Sequence, residues 1–170
     1  SLFINEMTIL FDGQAGGQQK MTANKQYYRR MNKKQLKYDQ AYMRMALEWA
    51  KLSYCERKQV GALIVKDRMI ISDGFNGTPT GFENCCEDEG ETKWYVLHAE
   101  ANAILKVASS TQSCKDSTLY ITLSPCKECS KLIHQSGIKR VVYANQYKDI
   151  SGVKFLERAG VEIEHLKDVK

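Results

Sequence analysis

Two short pieces, taken together, constrain this chain more than anything else in it: His98-Ala99-Glu100 and, further on, Pro125-Cys126-Lys127-Glu128-Cys129. Alone, a C-x-x-C pair fits a redox couple, half of a structural zinc site or coincidence, and a lone His-x-Glu is close to noise. In this order they supply one imidazole and two thiolates, the donor set of a metal with three protein ligands and one position left for water. Whatever the fold, it has to bring residue 98 and residues 126–129 to one point. Cys126 and Cys129 stand three apart, so a helix opened by Pro125 turns both sulfurs to one face. The positive end of that helix favours their thiolate forms. His98 and Glu100 are two apart and share no helix face, which places them poorly as two ligands of one ion and leaves Glu100 as a proton carrier.

H-x-E followed by P-C-x-x-C is the signature of zinc deaminases acting on nucleobases. In that chemistry the metal lowers the pKa of a water toward neutrality and Glu100 takes its proton. The hydroxide attacks the amino-bearing ring carbon, while Glu100 protonates the neighbouring ring nitrogen and then assists ammonia to leave. The competing readings are a four-ligand zinc with no catalysis and reduced thiols in a core. No fourth ligand of standard spacing accompanies the trio.

A chain of 170 residues is enough for one domain with a real core and too short for two comfortable ones. The net charge of +5 agrees with an anionic substrate without establishing one. Much of the excess lies at Lys25, Arg29, Arg30, Lys33, Lys34 and Lys37, within residues 1–37, which read as a solvated, partly mobile arm. Its first residues are expected to be a cloning remnant, since no Met precedes Ser1. Six cysteines without an N-terminal apolar segment point to a reducing, cytoplasmic setting with metal or buried-thiol roles and no disulfide framework. No run is long enough to cross a bilayer.

Residues 38–170 carry the periodic pattern. Tyr38, Ala41, Tyr42, Met45, Trp49 and Leu52 fall at helical spacing and predict one buried stripe. Residues 60–66 and 69–76 are β-branched and apolar runs split by Asp67-Arg68, a hairpin. A long loop over 77–93 follows, with Gly77, Pro79 and Gly81 and then an acidic, cysteine-bearing stretch. Beyond it helices are expected over 98–108, 125–136 and 153–159, and strands over 118–123, 140–144 and 161–166. Strands alternating with helices imply parallel pairing through right-handed crossovers. Both ligand segments then enter helices beyond strand ends, where open α/β sheets bind ligands.

Four segments of the chain resemble deoxycytidylate (dCMP) deaminases of the cytidine/deoxycytidylate deaminase superfamily: Ser53-Tyr54-Cys55-Glu56-Arg57-Lys58-Gln59-Val60-Gly61-Ala62, Gly74-Phe75-Asn76-Gly77-Thr78-Pro79-Thr80-Gly81, His98-Ala99-Glu100-Ala101-Asn102-Ala103-Ile104, and Tyr120-Ile121-Thr122-Leu123-Ser124-Pro125-Cys126-Lys127-Glu128-Cys129. The likeness runs from about Asp39 to the C-terminus. H-A-E and P-C-x-x-C are shared across the superfamily, whereas G-F-N-G-T-P-T-G, close to G-Y-N-G-x-P-x-G, is the discriminating piece. Phe75 departs from the usual Tyr, and the stretch before His98 lacks a cysteine that many bacterial members carry.

The resemblance implies a three-layer α/β/α fold with a five-stranded mixed sheet whose last two strands are parallel. It implies zinc-dependent conversion of dCMP to dUMP with release of ammonia, supplying dUMP for thymidylate synthesis. The zinc ligands would be His98, Cys126 and Cys129, with Glu100 catalytic. Asn76 would hydrogen-bond the deoxyribose, the backbone at Ala99 would read the pyrimidine carbonyl, Arg57 would take the 5′-phosphate with its planar fork of donors, and Tyr147 would close over the nucleotide. Ser124 joins them as substrate-binding. Read without the family, Asn76-Gly77 is an ordinary turn pair, Arg57 a surface charge and Tyr147 a loop aromatic.

The resemblance further implies a homo-oligomer, a hexamer, activated by dCTP with Mg²⁺ and inhibited by dTTP. The Gly74-Phe75-Asn76-Gly77 turn would bind the effector through exposed backbone amides. The resemblance also raises a second, structural zinc at Cys55 and Cys85, beside Cys86, but no histidine lies in this loop and structural zinc rarely uses carboxylates, so buried or free thiols are the favoured reading there. Other cytosine nucleotides or nucleosides, a polynucleotide base, or a non-catalytic zinc module are the alternatives. A polynucleotide needs a groove with stacking aromatics, and no such series stands out.

Overall fold

In the computed structural model residues 16–167 and 169 are described, with side chains from residue 32 onward. The hairpin is where the sequence puts it: β1 (Gly61–Lys66) and β2 (Met69–Phe75) pair antiparallel. They are joined by Asp67 and Arg68, both left-handed at φ 50° and 64°, the backbone that matches a two-residue turn to the twist of its strands. Along β1, Ala62 and Ile64 face one core and Leu63 and Val65 the other. A strand that buries both faces has to lie inside a sheet with cover on each side.

That sheet has the order β2-β1-β5-β6-β7, in which β5 is Thr118–Leu123, β6 Arg140–Asn145 and β7 Glu162–His165. Within the 77–93 loop lies a separate small hairpin, β3 (Glu87–Asp88) with β4 (Glu91–Thr92). Helix α2 (Ala99–Ala108) leads to β5 (Thr118–Leu123), α3 (Lys127–Gln135) to β6 (Arg140–Asn145), and α4 (Ser151–Arg158) to β7 (Glu162–His165). β5 runs antiparallel to β1, and β5, β6 and β7 are mutually parallel. This is the five-stranded mixed sheet expected from the sequence, with parallel strands at its end.

One face is covered by α2, α3 and α4, whose Ala99, Ala103, Val107, Ile133, Val153 and Leu156 meet Ile64, Leu119, Ile121 and Val141. The other face is covered from Asp39 onward by α1 (Gly16–Ala50), through Met43 and Ala46 against Leu63, Val65, Tyr120 and Val142. By contacts the chain forms two units, Ser1–Tyr38 and Asp39–Lys170. The expected arm is helical from Gly16, earlier than the spacing predicts, and the rest of it lies outside the described residues.

The expected stripe on this helix needs correction. Met45 and Leu52 are exposed, and the buried positions are Asp39, Met43, Ala46 and Ala50. The shift is caused by a polar residue in the stripe: the Asp39 carboxylate accepts from the Tyr120 hydroxyl (2.7 Å) and from both terminal nitrogens of Arg140 (2.9 Å each). So paired, a carboxylate sits in a core position that hydrophobic periodicity skips. No helix among the described residues is long and apolar enough to cross a membrane.

Candidate active site

The first ligand segment is set by contact between β2 and α2. A Cβ added at Gly74 would lie 2.3 Å from the Ala99 carbonyl oxygen and 2.7 Å from the Ala103 nitrogen, so the strand touches the bare backbone of the helix. Asn102 Nδ2 donates to the Phe75 carbonyl (2.7 Å), and Gly77 and Leu97 exchange backbone hydrogen bonds just ahead of the helix. His98 is the N-cap of α2 with extended backbone (φ −73°, ψ 157°), so its ring leaves the helix axis while Glu100 stays in the first turn. The imidazole is exposed and Glu100 is buried.

The second segment leaves β5 at Leu123. Its Ser124 nitrogen donates to the Asn145 carbonyl (2.8 Å). Pro125 does not open the helix as expected: Cys126 is the N-cap, and its sulfur accepts from the Cys129 nitrogen (3.5 Å). The sulfur does what a Ser or Asp oxygen does at other caps, and α3 therefore starts after Cys126. Ser130 donates to the Cys126 carbonyl (2.8 Å), fixing the turn from inside.

These segments meet. His98 Nδ1 lies 3.5 Å from Cys126 Sγ and 3.4 Å from Cys129 Sγ, and all three donor atoms fall within 4.8 Å of one another. With zinc–sulfur and zinc–nitrogen bonds of about 2.3 and 2.05 Å, tetrahedral ligands stand about 3.6 Å apart, so the tripod fits a zinc ion. It is the one such group among the described residues. A hydrogen bond from the Cys129 thiol, with another from His98, holds Cys126 down at about 3. The same contact with Cys126, then burial and the Glu100 carboxylate, push Cys129 up. His98 is raised, first by its hydrogen bond to Cys126. Burial pushes Glu100 up to about 7, against its own backbone amide and His98, which favour the carboxylate.

Beside the tripod opens a cleft of about 300 Å³, the lower end of small-ligand sites. The structure brings to its wall His98, Cys126, Glu100, Ala99, Asn76, Ser124, Arg57 and Tyr147. Tyr147 is held by its backbone nitrogen, which donates to Ser124 Oγ (2.8 Å). Asn76 uses its side chain as a clamp: Oδ1 accepts from Val60 N and Nδ2 donates to the Lys58 carbonyl, both at 2.8 Å. Its second Nδ2 hydrogen is the donor left for a ligand.

Three expectations change and a fourth, for Arg57, is qualified. The Asn76 and Gly77 amides donate to the Val60 and Leu97 carbonyls, so the 74–77 turn does not expose them to an anion. Cys55 and Cys85 do not form a second metal site, because Cys55 is joined to Cys86 in a disulfide while Cys85 is an exposed thiol directed at the Glu87 carbonyl (3.3 Å). Successive residues of an extended segment point to opposite sides, so only one of the 85–86 pair reaches Cys55. That bond also overturns the expectation of no disulfide. Arg57 lines the cleft but is committed, its Nη1 lying 2.9 Å from Glu91 Oε2 and 3.4 Å from Thr92 Oγ1.

Sequence reasoning missed Lys58, Glu87 and Thr92 in the wall. Lys58 stood in plain view next to Arg57, but a basic residue in a charged run carries no mark that separates a cleft from a solvated face. It also missed a ring series, Phe82–Tyr95–Trp94, with centroids 5.2 and 5.6 Å apart.

Comparison with known proteins agrees with this geometry. Residues 36–145 match the family model of the cytidine and deoxycytidylate deaminase zinc-binding region. The deoxycytidylate deaminase of Enterobacteria phage T4 is 34% identical over 155 residues, covering 65% of this chain and 80% of that protein. The human deoxycytidylate deaminase is 37% identical over 124 residues, covering 67% and 68%. A crystal structure of dCMP deaminase from the cyanophage S-TIM5, in complex with dCMP and dUMP, superposes with a TM-score of 0.73 at 48% identity, over 74% of this chain and 94% of that one.

Proposed function

The chain belongs to the cytidine and deoxycytidylate deaminase family, and from that premise we propose that it hydrolyses the amino group of dCMP, giving dUMP and ammonia and so feeding thymidylate synthesis. The observation that carries the reading is the His98–Cys126–Cys129 tripod with a buried carboxylic acid, Glu100, at one end of a mononucleotide-sized cleft. Zinc held there supplies Lewis acidity and a water nucleophile at neutral pH.

The remaining work belongs to the chain. Glu100, poised near neutral pH by burial, accepts the proton of the attacking water and delivers it to the ring nitrogen beside the amino-bearing carbon; it then takes the remaining proton of the newly added hydroxyl and passes it to the departing amine as the carbonyl forms. The Ala99 amide, in the first turn of α2, is one of the donors a helix start leaves unpaired, and it reads the pyrimidine carbonyl. Asn76 gives its second amide hydrogen to the deoxyribose. Tyr147, pinned to Ser124, packs over the nucleotide and excludes water. Residues 38–170 make up the deaminase domain. Hexameric assembly and opposed effects of dCTP with Mg²⁺ and of dTTP belong to the same reading, with the effector site elsewhere than the amides of the 74–77 turn. Light scattering and dCMP saturation curves with each triphosphate test that part.

Ammonia release from dCMP, deoxycytidine and a short single-stranded oligonucleotide tests the main claim. The expected order puts dCMP well ahead of the other two. Release from the oligonucleotide alone, or from none of the three by zinc-loaded protein, overturns it.

A further inference from the structure

Only two cationic side chains, Arg57 and Lys58, line the cleft among the described residues, and their surroundings differ. The Arg57 guanidinium pairs with one carboxylate, Glu91 at its Nη1, and a second, Glu87, lines the same wall and accepts from the backbone nitrogens of Glu56 (3.2 Å) and Arg57 (3.3 Å). A dianionic phosphate approaching Arg57 would have to displace one carboxylate and sit beside the other. The Arg57–Glu91 pair is exposed and weak in itself. The second carboxylate is what makes this corner unfavourable for an anion.

Lys58 has no ion-pair partner among the described residues. Its Nζ lies 5.1 Å from the centroid of the Tyr147 ring, a contact weak enough at an exposed site to be exchanged for a charged hydrogen bond. Its backbone is fixed, because the Lys58 carbonyl accepts from Asn76 Nδ2 and Val60, two residues on, donates to Asn76 Oδ1. The same bonds set Lys58 directly beside Asn76, the residue given to the deoxyribose. In a 5′-nucleotide the phosphate lies one ester linkage from that sugar. A fixed stem with a pivoting ammonium, next to the sugar contact and against the closing aromatic, suits a phosphate.

We propose that Lys58, rather than Arg57, engages the 5′-phosphate and so determines selection of nucleotide over nucleoside, with Arg57 serving to brace the β3–β4 hairpin against residues 53–58. This deepens the dCMP reading and rests on it. On binding, the Lys58 ammonium leaves the Tyr147 face for the phosphate oxygens, and the ring is released to cover the base.

The test compares Lys58→Gln, Lys58→Arg and Arg57→Gln with the parent protein, reading kcat/KM for dCMP divided by kcat/KM for deoxycytidine. Lys58→Gln is expected to lower this ratio at least tenfold, Lys58→Arg to restore it to within about threefold, and Arg57→Gln to lower it less than Lys58→Gln does. The parent ratio should also fall with rising ionic strength, and the Lys58→Gln ratio should fall less steeply. A Lys58→Gln ratio within twofold of the parent, or a larger loss in Arg57→Gln, overturns the assignment. Calorimetric binding of dUMP against deoxyuridine reports the same ratio without turnover. Failure of the parent protein to deaminate anything would therefore count against the dCMP reading, and an unchanged binding ratio in Lys58→Gln against this one.

Discussion

Gly152 opens α4 directly against the turn that carries Cys126, and replacing it with Ala puts that contact to the test. A Cβ there would lie 2.4 Å from the Pro125 carbonyl oxygen, 2.6 Å from Ser130 Oγ and 2.8 Å from the Cys126 carbonyl carbon. Two of these atoms are main chain in the ligand turn and cannot rotate away, so relief to ordinary contact, about 3.5 Å, moves the turn or α4 by about 1 Å. Overpacking of this kind costs about 1–3 kcal/mol. A tripod tolerates only about 0.5 Å, so much of that cost falls on the metal. Zinc affinity should drop about 10–100-fold, the range seen when outer support of a ligand is removed, or about 1.4–2.7 kcal/mol. Chelator competition reads the affinity and thermal unfolding the stability. Gly160→Ala at the far end of α4 is the control. Gly160 has φ +80° and nothing within 4 Å of an added Cβ, so it should lose about 1–2 kcal/mol through backbone strain alone and keep its zinc affinity. If Gly152→Ala lost stability but held zinc as tightly as Gly160→Ala, the idea that α4 positions Cys126 would be wrong.

Glu100→Gln should retain one zinc per chain by metal analysis and lose about 10²–10⁴-fold in kcat for dCMP, since it removes a proton carrier and no ligand. Asp39→Asn weakens the pairing of a carboxylate that is 3% exposed with Arg140 and Tyr120; unfolding in urea should show a loss of about 3–5 kcal/mol, and a loss below 1 kcal/mol would mean the network adds little. Cys86→Ser opens a cross-link spanning 31 residues, worth about 3–4 kcal/mol by loop entropy. Its melting temperature should fall to that of the parent protein measured in a thiol reductant, and a parent melt indifferent to reductant would count against the bond.

Spacing made some of this molecule legible and contact made the rest illegible. His98, Cys126 and Cys129 could be chosen from the sequence because a metal with three ligands restricts residue type and order together. β1 and β2 could be placed because alternation and the Asp67-Arg68 turn agree. The α1 stripe came out displaced because Asp39 occupies a buried position in polar guise, with partners 81 and 101 residues away. Strands of two residues, as in β3 and β4, are too short for a period of two to show; their turn at Glu89 and Gly90, φ 48° and 82°, carries them. The Cys55–Cys86 bond was hidden by its neighbour, since nothing in Cys85-Cys86 says which sulfur faces inward. Lys58 and Gly152 are of a third kind: one is ordinary surface chemistry and the other ordinary helix-start chemistry until their neighbours are known.

The placement of Glu100 sets function against stability. In water a glutamate near 4.5 would hold a proton too weakly to deliver it to a ring nitrogen at neutral pH. The first turn of a helix lowers it further, and here its own amide and His98 both act in that direction. Burial overrides them and lifts the group to about 7, where acceptance and delivery of a proton are near balance, as a carrier used in both senses requires. The folded state then binds more protons than the unfolded chain between about pH 4.5 and 7, so this group's contribution to stability is full below that window and declines as pH rises through it. A divalent cation in the neighbouring tripod acts in the opposite direction, since its charge favours the carboxylate. Metal binding, carboxylate ionisation and folding stability are thereby coupled through one buried side chain, and the two segments that supply the tripod are held by the contacts that also bury it: Gly74 under α2 and Gly152 under the Pro125–Cys126 turn.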